Sequence, residues 1–255
     1  MKKTIKFLST IGLVCLVLLS IALAFPGNKN SSISPRVSGE SLIMAALGRG
    51  DSNSDDLFLI SEVVQTKYEA SVPSVSLQGN LSAVDEGKIY LNDRSYGVRR
   101  GSLYWSTADD RGSTDEVLGC FGRDNTFTLD GAPISRGFYI PKPLKLGFEN
   151  AVALEFKRDE GIKLSWNGDE RNEYPVVVVL QYVPDDEKGL VTKQFNFIDR
   201  EGGALISPDE LREFPSNSNL ILYAGRGNGQ SVTVRDKTTS LAGITITTVP
   251  GIVLR

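Results

Sequence analysis

Past Val72 the chain falls into short apolar stretches fenced by turn residues. Val75-Ser76-Leu77, Ile89-Tyr90-Leu91, Leu103-Tyr104-Trp105, Phe127-Thr128-Leu129 and Phe138-Tyr139-Ile140 are each β-prone and bounded by Gly, Asp, Asn or Pro, which predicts strands. The clearest alternation runs over 151–166. Val152, Leu154 and Phe156 alternate with Ala153, Glu155 and Lys157; after Arg158-Asp159-Glu160-Gly161, Ile162, Leu164 and Trp166 alternate with Lys163 and Ser165. Period two on both arms of a turn predicts a hairpin with one wet face and one buried face. Pro175 then opens Val176–Val183, apolar on both faces over its first half, as in a central strand covered on each side. Further strands are expected at 192–198, 219–224, 231–235 and 243–249. A helical turn is expected at Ser207-Pro208-Asp209-Glu210-Leu211: Ser207 caps, Pro208 suits the first helical position, and two acids face the positive end.

Upstream the pattern is less decisive. Residues 41–49 suit a short helix. Residues 57–69 place apolar side chains at 57, 60, 63, 64 and 68, which fits a helix, yet their β-branched and aromatic content fits a strand. Many short strands with few, short helices predict an all-β, mainly antiparallel β-sandwich. A split near residue 158 gives β-regions at 71–157 and 158–255, which form two immunoglobulin-like or jelly-roll-like halves or interleave into one sandwich.

The first 24 residues read as an export signal. Lys2, Lys3 and Lys6 precede the apolar run 11–24, and Ala22-Leu23-Ala24 supplies a cleavage site before Pro26 and Gly27. Extended back to Ile5, the run is also long enough to act as an uncleaved membrane anchor. Cys15 follows Val14 inside the run, where a lipid-modified cysteine needs a small residue before it. Residues 25–70 then form a flexible leader, rich in Ser, Asn, Pro and Gly at its start.

Composition removes several function classes. The chain has no histidine, and so lacks the usual general base and the commonest metal ligand. A formal net charge of -3 with scattered basic residues argues against nucleic-acid binding. Outside the export segment Cys120 is the one cysteine, so no intramolecular disulfide and no cysteine–histidine zinc site is expected. Cys120, in Val117-Leu118-Gly119-Cys120-Phe121, reads as a small buried hydrophobe.

Leu164-Ser165-Trp166-Asn167-Gly168-Asp169-Glu170-Arg171-Asn172, the valine strand, Ile206–Leu211, and a strand ending in Ala224-Gly225-Arg226-Gly227-Asn228 follow one another in the C-terminal half. This series resembles a group of exported Bacteroidetes proteins with no assigned biochemical function, in which a W-N-x-D-x-x-N turn precedes a hydrophobic strand and a strand ends in R-G-N. Tyr139-Ile140-Pro141-Lys142 and Leu91-Asn92 fit the same pattern. The resemblance implies a surface or periplasmic β-sandwich and brings no catalytic residues with it.

Other motifs each have a plainer reading beside the functional one. Asp51, Asn53, Asp55 and Glu62 occupy positions 1, 3, 5 and 12 of a calcium-loop template, but Asp56 replaces the turn glycine and Leu59 offers no side-chain ligand. Calcium is the one cofactor they suggest; a solvated acidic loop explains them as well. Arg49-Gly50-Asp51 spells an adhesion tripeptide, or simply a turn. Asp169, Glu170 and Glu173 cluster beside Trp166 as a glycosidase's carboxylates would, with Asp169 and Glu173 as the candidate pair, although the same residues make a turn. Asp185–Gly189 and Asp199–Gly203 read as hairpin connections, and Gly225, Gly227 and Gly229 as a strand exit. Tyr90, Tyr96, Tyr104 and Trp105 make either a sugar-stacking platform or half-buried core.

The expectation is an exported, non-enzymatic β-sandwich protein of the periplasm, cell surface or extracellular space, acting by binding or assembly on a protein or glycan. No catalytic, cofactor or metal residue is assigned; nucleic acid is not expected, and a membrane is met only through an uncleaved N-terminal segment. The alternatives are a carboxylate-based carbohydrate-active enzyme and a structural subunit of a surface fibre or layer.

Overall fold

The computed structural model of the protein describes residues 55–107, 117–151, 153–184 and 190–255. The export segment, residues 41–49, the Arg49-Gly50-Asp51 tripeptide and the connection at 185–189 lie outside the described residues.

The fold is all-β, mainly antiparallel and sandwich-like. In chain order the strands are β1 (Asp55–Val64), β2 (Ser74–Asn80), β3 (Glu86–Leu91), β4 (Arg94–Arg99), β5 (Ser102–Ser106), β6 (Arg123–Leu129) and β7 (Ala132–Ile140). There follow β8 (Leu146–Phe148), β9 (Glu155–Phe156), β10 (Ile162–Trp166), β11 (Val176–Tyr182) and β12 (Val191–Phe197). The last three are β13 (Gly203–Ile206), β14 (Ser218–Val234) and β15 (Lys237–Leu254). Twelve of these make one sheet, ordered β12-β11-β14-β15-β1-β2-β5-β4-β3-β6-β7 with β9 also paired to β15; β13-β10-β8 make the second. β15 pairs in parallel with β1 and with β9, and the other ladders are antiparallel.

Two strands span the whole molecule. β14 and β15, 17 and 18 residues long, form a hairpin that carries both hydrophobic cores on one face. At its tip Val234 and Leu241 join the first core, where Leu57, Leu77, Ile89 and Phe127 meet inside the curl of β1–β7. At its base Leu220, Leu222, Ile252 and Leu254 join the second core, closed from across by Leu146, Ile162, Leu164 and Ile206 of the small sheet. The curl brings β7 over the hairpin: Ile140 fills the space a Cβ on Gly243 would need, and Asn228 Nδ2 donates to Tyr139 O.

The structure bears out the strands expected within β2, β3, β5, β6 and β7, and the central valine strand, which is β11, buried on both faces between β12 and β14. Ser207 and Glu210 form a reciprocal cap: Ser207 N and Oγ donate to Glu210 Oε2, and the turn that follows is not extended into a helix.

Three expectations are corrected. Residues 55–64 are neither leader nor helix but a central strand, because alternate side chains feed apolar layers on both faces. The 151–166 hairpin does not form. Ala153 and Leu154 take left-handed φ values of 54° and 64°, β9 joins β15, and Gly161 at φ 72° turns β10 into the other sheet. Residues 144–156 consequently pack with the second core. The glycines at 225, 227 and 229 are not a strand exit but lie inside β14, paired to β15 throughout.

Candidate functional site

β4 and β5 are joined by Arg100-Gly101, whose φ values of 50° and 73° make the two-residue turn that matches strand twist. Beyond that turn the strands share the register pair Arg99↔Ser102 and then separate. β4 remains fully paired to β3, and β5 to β2, so the parting opens a seam in the sheet. A space of about 280 Å³ lies there, lined by Arg94, Ser95, Tyr96, Gly97, Tyr104 and Trp105 with Leu103.

The chemistry of the seam is aromatic with one cation. Tyr96 and Trp105 meet edge to face with centroids 5.3 Å apart. The Arg94 guanidinium sits 5.0 Å from the Trp105 ring centre and 5.8 Å from that of Tyr96, within range of a cation–π attraction. Tyr104 is 68 % exposed, so its ring is open to solvent. Gly97 faces open space, with nothing within 4 Å of where a Cβ would lie. Of the four aromatics picked out in the sequence, the seam gathers Tyr96, Tyr104 and Trp105; Tyr90, half-buried on β3, does not line it.

The carboxylate loop has a different setting. Asp169 is buried, and its carboxylate accepts from Tyr139 Oη at 2.8 and 2.7 Å, Lys142 N at 2.9 Å and Arg171 N at 3.2 Å. Burial works against its charge, but those donors and the nearby Arg226 hold its pKa below the ordinary carboxylate value. The Tyr139 phenol moves well above its usual value, through burial and then through the Asp169 carboxylate it faces. Glu170 and Glu173 are exposed on the same loop.

Beside Asp169 lies a pair that the sequence pattern does not single out. Asp199 starts a short 3-10 turn, Asp199–Glu201, and is buried with Arg226 of β14. Arg226 Nη1 also donates to Asn167 O, Nη2 to Pro143 O and Asn167 Oδ1, and Nε to Lys142 O. Asn172 Nδ2 and Asp169 N donate to Asp199, and Trp166 Nε1 donates to its carbonyl. Buried Trp166, Asp169, Asn172, Tyr139, Asp199 and Arg226, with partly buried Asn167 and Asn228 and the backbone of Lys142, are thus one polar junction between the two cores. The motif residues of the carboxylate loop, of β7 and of β14 meet there as structure. With both carboxylate oxygens of Asp169 already engaged, the polar groups of this junction are spent on fixing the chain.

The remaining candidates fall elsewhere. Asp51 and Asn53 lie outside the described residues, while Asp55 and Glu62 stand seven positions apart on extended β1, about 23 Å at strand rise. A strand cannot wrap one cation with those two carboxylates, which removes the calcium-loop reading. Cys120 is free and buried, its thiol pKa pushed up chiefly by burial, and it accepts a 3.7 Å hydrogen bond from Asn92. No family model matches the chain, and no curated protein matches it.

Proposed function

We propose that the protein is an exported, non-enzymatic binding protein, and that the seam between β4 and β5 holds a sugar residue of a glycan. Tyr104 carries the reading: a large aromatic ring stands in solvent beside an open space already lined by Tyr96, Trp105 and Arg94. A sugar ring offers an apolar face of C–H groups to an aromatic ring and a rim of hydroxyls to Arg94, Ser95 and open strand carbonyls. The space is at the small end of ligand sites, which suits one ring with the rest of the glycan outside. β3 holds β4 and β2 holds β5 within the large sheet, so the site is preorganised.

The occupied carboxylate of Asp169 supports binding over hydrolysis. Glycoside cleavage needs two carboxyl groups facing across a cleft, about 5–10 Å apart and open to substrate. Asp169 is closed off and spent on internal donors.

The test is a glycan array and pull-down with protein lacking residues 1–24, beside Gly97→Val and Tyr104→Ala. The valine enters open space, so it narrows the seam without disturbing the core. A glycan class held by the parent and lost by both variants is the expected result. Retention of none, or equal retention by all three proteins, defeats the reading.

A further inference from the structure

The outer side of an edge strand offers unpaired N–H and C=O groups, a template on which another strand can pair. Among the described residues the two sheets end in β7, β12, β8 and β13, and three of these ends are blunted. β8 and β13 are short, at three and four residues. β7 carries Pro133, Gly137 at φ 70° and two register shifts against β6. β12 has none of these devices. It runs for seven residues without proline, glycine or acid, in unbroken register with β11, and no described residue pairs with its outer side. A lysine can guard an edge, but Lys193 is turned onto its own molecule: its Nζ lies 2.9 Å from Glu213 Oε1 and donates to Glu210 O at 2.8 Å.

The side chains along this edge mirror one another about Gln194. On the inner face Val191, Phe195 and Phe197 pack against the second core yet are only partly buried, with the two rings stacked at 6.2 Å. On the outer face Thr192, Gln194 and Asn196 are exposed. Leu190 just before the strand is 42 % exposed, and Ile198 just after it, on extended backbone at φ -70° and ψ 118°, is 53 % exposed. Both lie an even number of positions from Gln194, and alternation puts them on its face.

We propose that β12 pairs with β12 of a second copy, antiparallel about a two-fold axis at Gln194, so that the two large sheets become one. Leu190 then lies opposite Ile198, Thr192 opposite Asn196 and Gln194 opposite itself, where one amide donates to the other. On the inner face Val191 meets Phe197 and Lys193 meets Phe195, and each apolar side chain gains a cover. The same patch serves both copies, as a two-fold interface requires. Neighbouring registers that keep the faces matched are worse. One sets Lys193 against Lys193, and the other sets Val191 against Asp199, which is buried with Arg226.

The test uses the full chain carrying Cys15→Ser, with Cys120 buried. Directly opposite residues of an antiparallel pair hold their Cα atoms about 4.5–5.5 Å apart, within disulfide reach. Gln194→Cys should therefore give an interchain disulfide under mild oxidation, at least tenfold more than Arg136→Cys on exposed β7. Thr192→Cys mixed with Asn196→Cys should link the two proteins to each other, whereas either alone sets its thiols about 13 Å apart along the strands. In sedimentation the parent should dimerise reversibly. Gln194→Lys and Gln194→Glu each oppose like charges across the axis and should each weaken the dimer at least tenfold; mixing the two should restore it, which also shows that both variants fold. A chain that stays monomeric and forms no disulfide through position 194 would overturn the proposal and leave this edge to a strand of a different protein. Dimers indifferent to both charges, or equal linkage through positions 194 and 136, would overturn it too.

Discussion

Arg226 Nη1 donates to both oxygens of Asp199, at 2.8 and 3.1 Å, with both side chains essentially inaccessible to solvent. Arg226 sits midway along β14, where the first core gives way to the second. Its other donors reach Lys142, Pro143 and Asn167, so one guanidinium ties β14 to the connection after β7 and to the loop after β10. Two apolar cores on one sheet face meet at a polar seam, and the charge inside it is fully paired. Register is the gain: β7 and the carboxylate loop have one arrangement that satisfies all these donors.

Removing one partner from that pair leaves the other charge buried and unmatched. Asp199→Leu is expected to lower stability by about 3–5 kcal/mol, and Arg226→Met by a similar amount. Asp199→Leu with Arg226→Met removes both charges and should cost clearly less than the sum of the single changes. Urea unfolding of the four proteins measures the cycle; additive losses would mean that the two side chains are not coupled.

Asp169 gives the fold a dependence on acid. Its folded pKa lies below the ordinary 3.8, so the ionised carboxylate favours the native state. That contribution is complete above the unfolded value and is lost as pH falls through the folded one. Asp169→Asn should therefore weaken the protein at pH 7, by about 1–3 kcal/mol, and flatten the fall in stability below about pH 4. Urea midpoints between pH 7 and pH 3 show this directly, and parallel curves for parent and variant would refute it.

How far the sequence carried differs from element to element. β11 was legible because four consecutive valines leave no face for water, and β2, β3, β5, β6 and β7 because turn residues fence each of them. The seam's aromatics were legible as a group, since Tyr96 and Tyr104–Trp105 flank one tight turn. The false hairpin at 151–166 shows where local pattern fails. Ala153 and Leu154 adopt left-handed backbone with no glycine or asparagine to announce it, and tertiary packing of Leu154 and Phe156 overrides the alternation. Asp199 was hidden for another reason: Asp-Arg-Glu-Gly-Gly has the composition of a solvated turn. Its burial depends on an arginine 27 residues away.

Two glycines separate packing from openness. Gly227→Ala drives a methyl to within 2.8 Å of the Gly243 carbonyl, and backbone cannot give way as a flexible side chain does. A loss of about 1–3 kcal/mol is expected, in line with overpacking. Gly97→Ala meets nothing within 4 Å and should leave the thermal midpoint within a degree or two, as for a surface change of under about 0.5 kcal/mol. Thermal scans of both distinguish them, and equal shifts would deny that Gly97 faces open space.

The seam also predicts its own optical signal. The chain has two tryptophans, Trp105 in the seam and Trp166 in the junction, where its Nε1 donates to Asp199 O at 2.8 Å. A sugar stacking beside Tyr104 changes the surroundings of Trp105 and leaves Trp166 untouched. Titration with a bound glycan should therefore shift the parent's tryptophan emission, while Trp105→Phe abolishes the shift and keeps a normal unfolding midpoint to within about 1 kcal/mol, since a ring still fills the site. Tyr104→Ala should weaken binding by about tenfold or more, the loss of one stacking contact, with stability unchanged because that ring already stands in solvent. An emission change that survives Trp105→Phe would place the ligand elsewhere on the molecule.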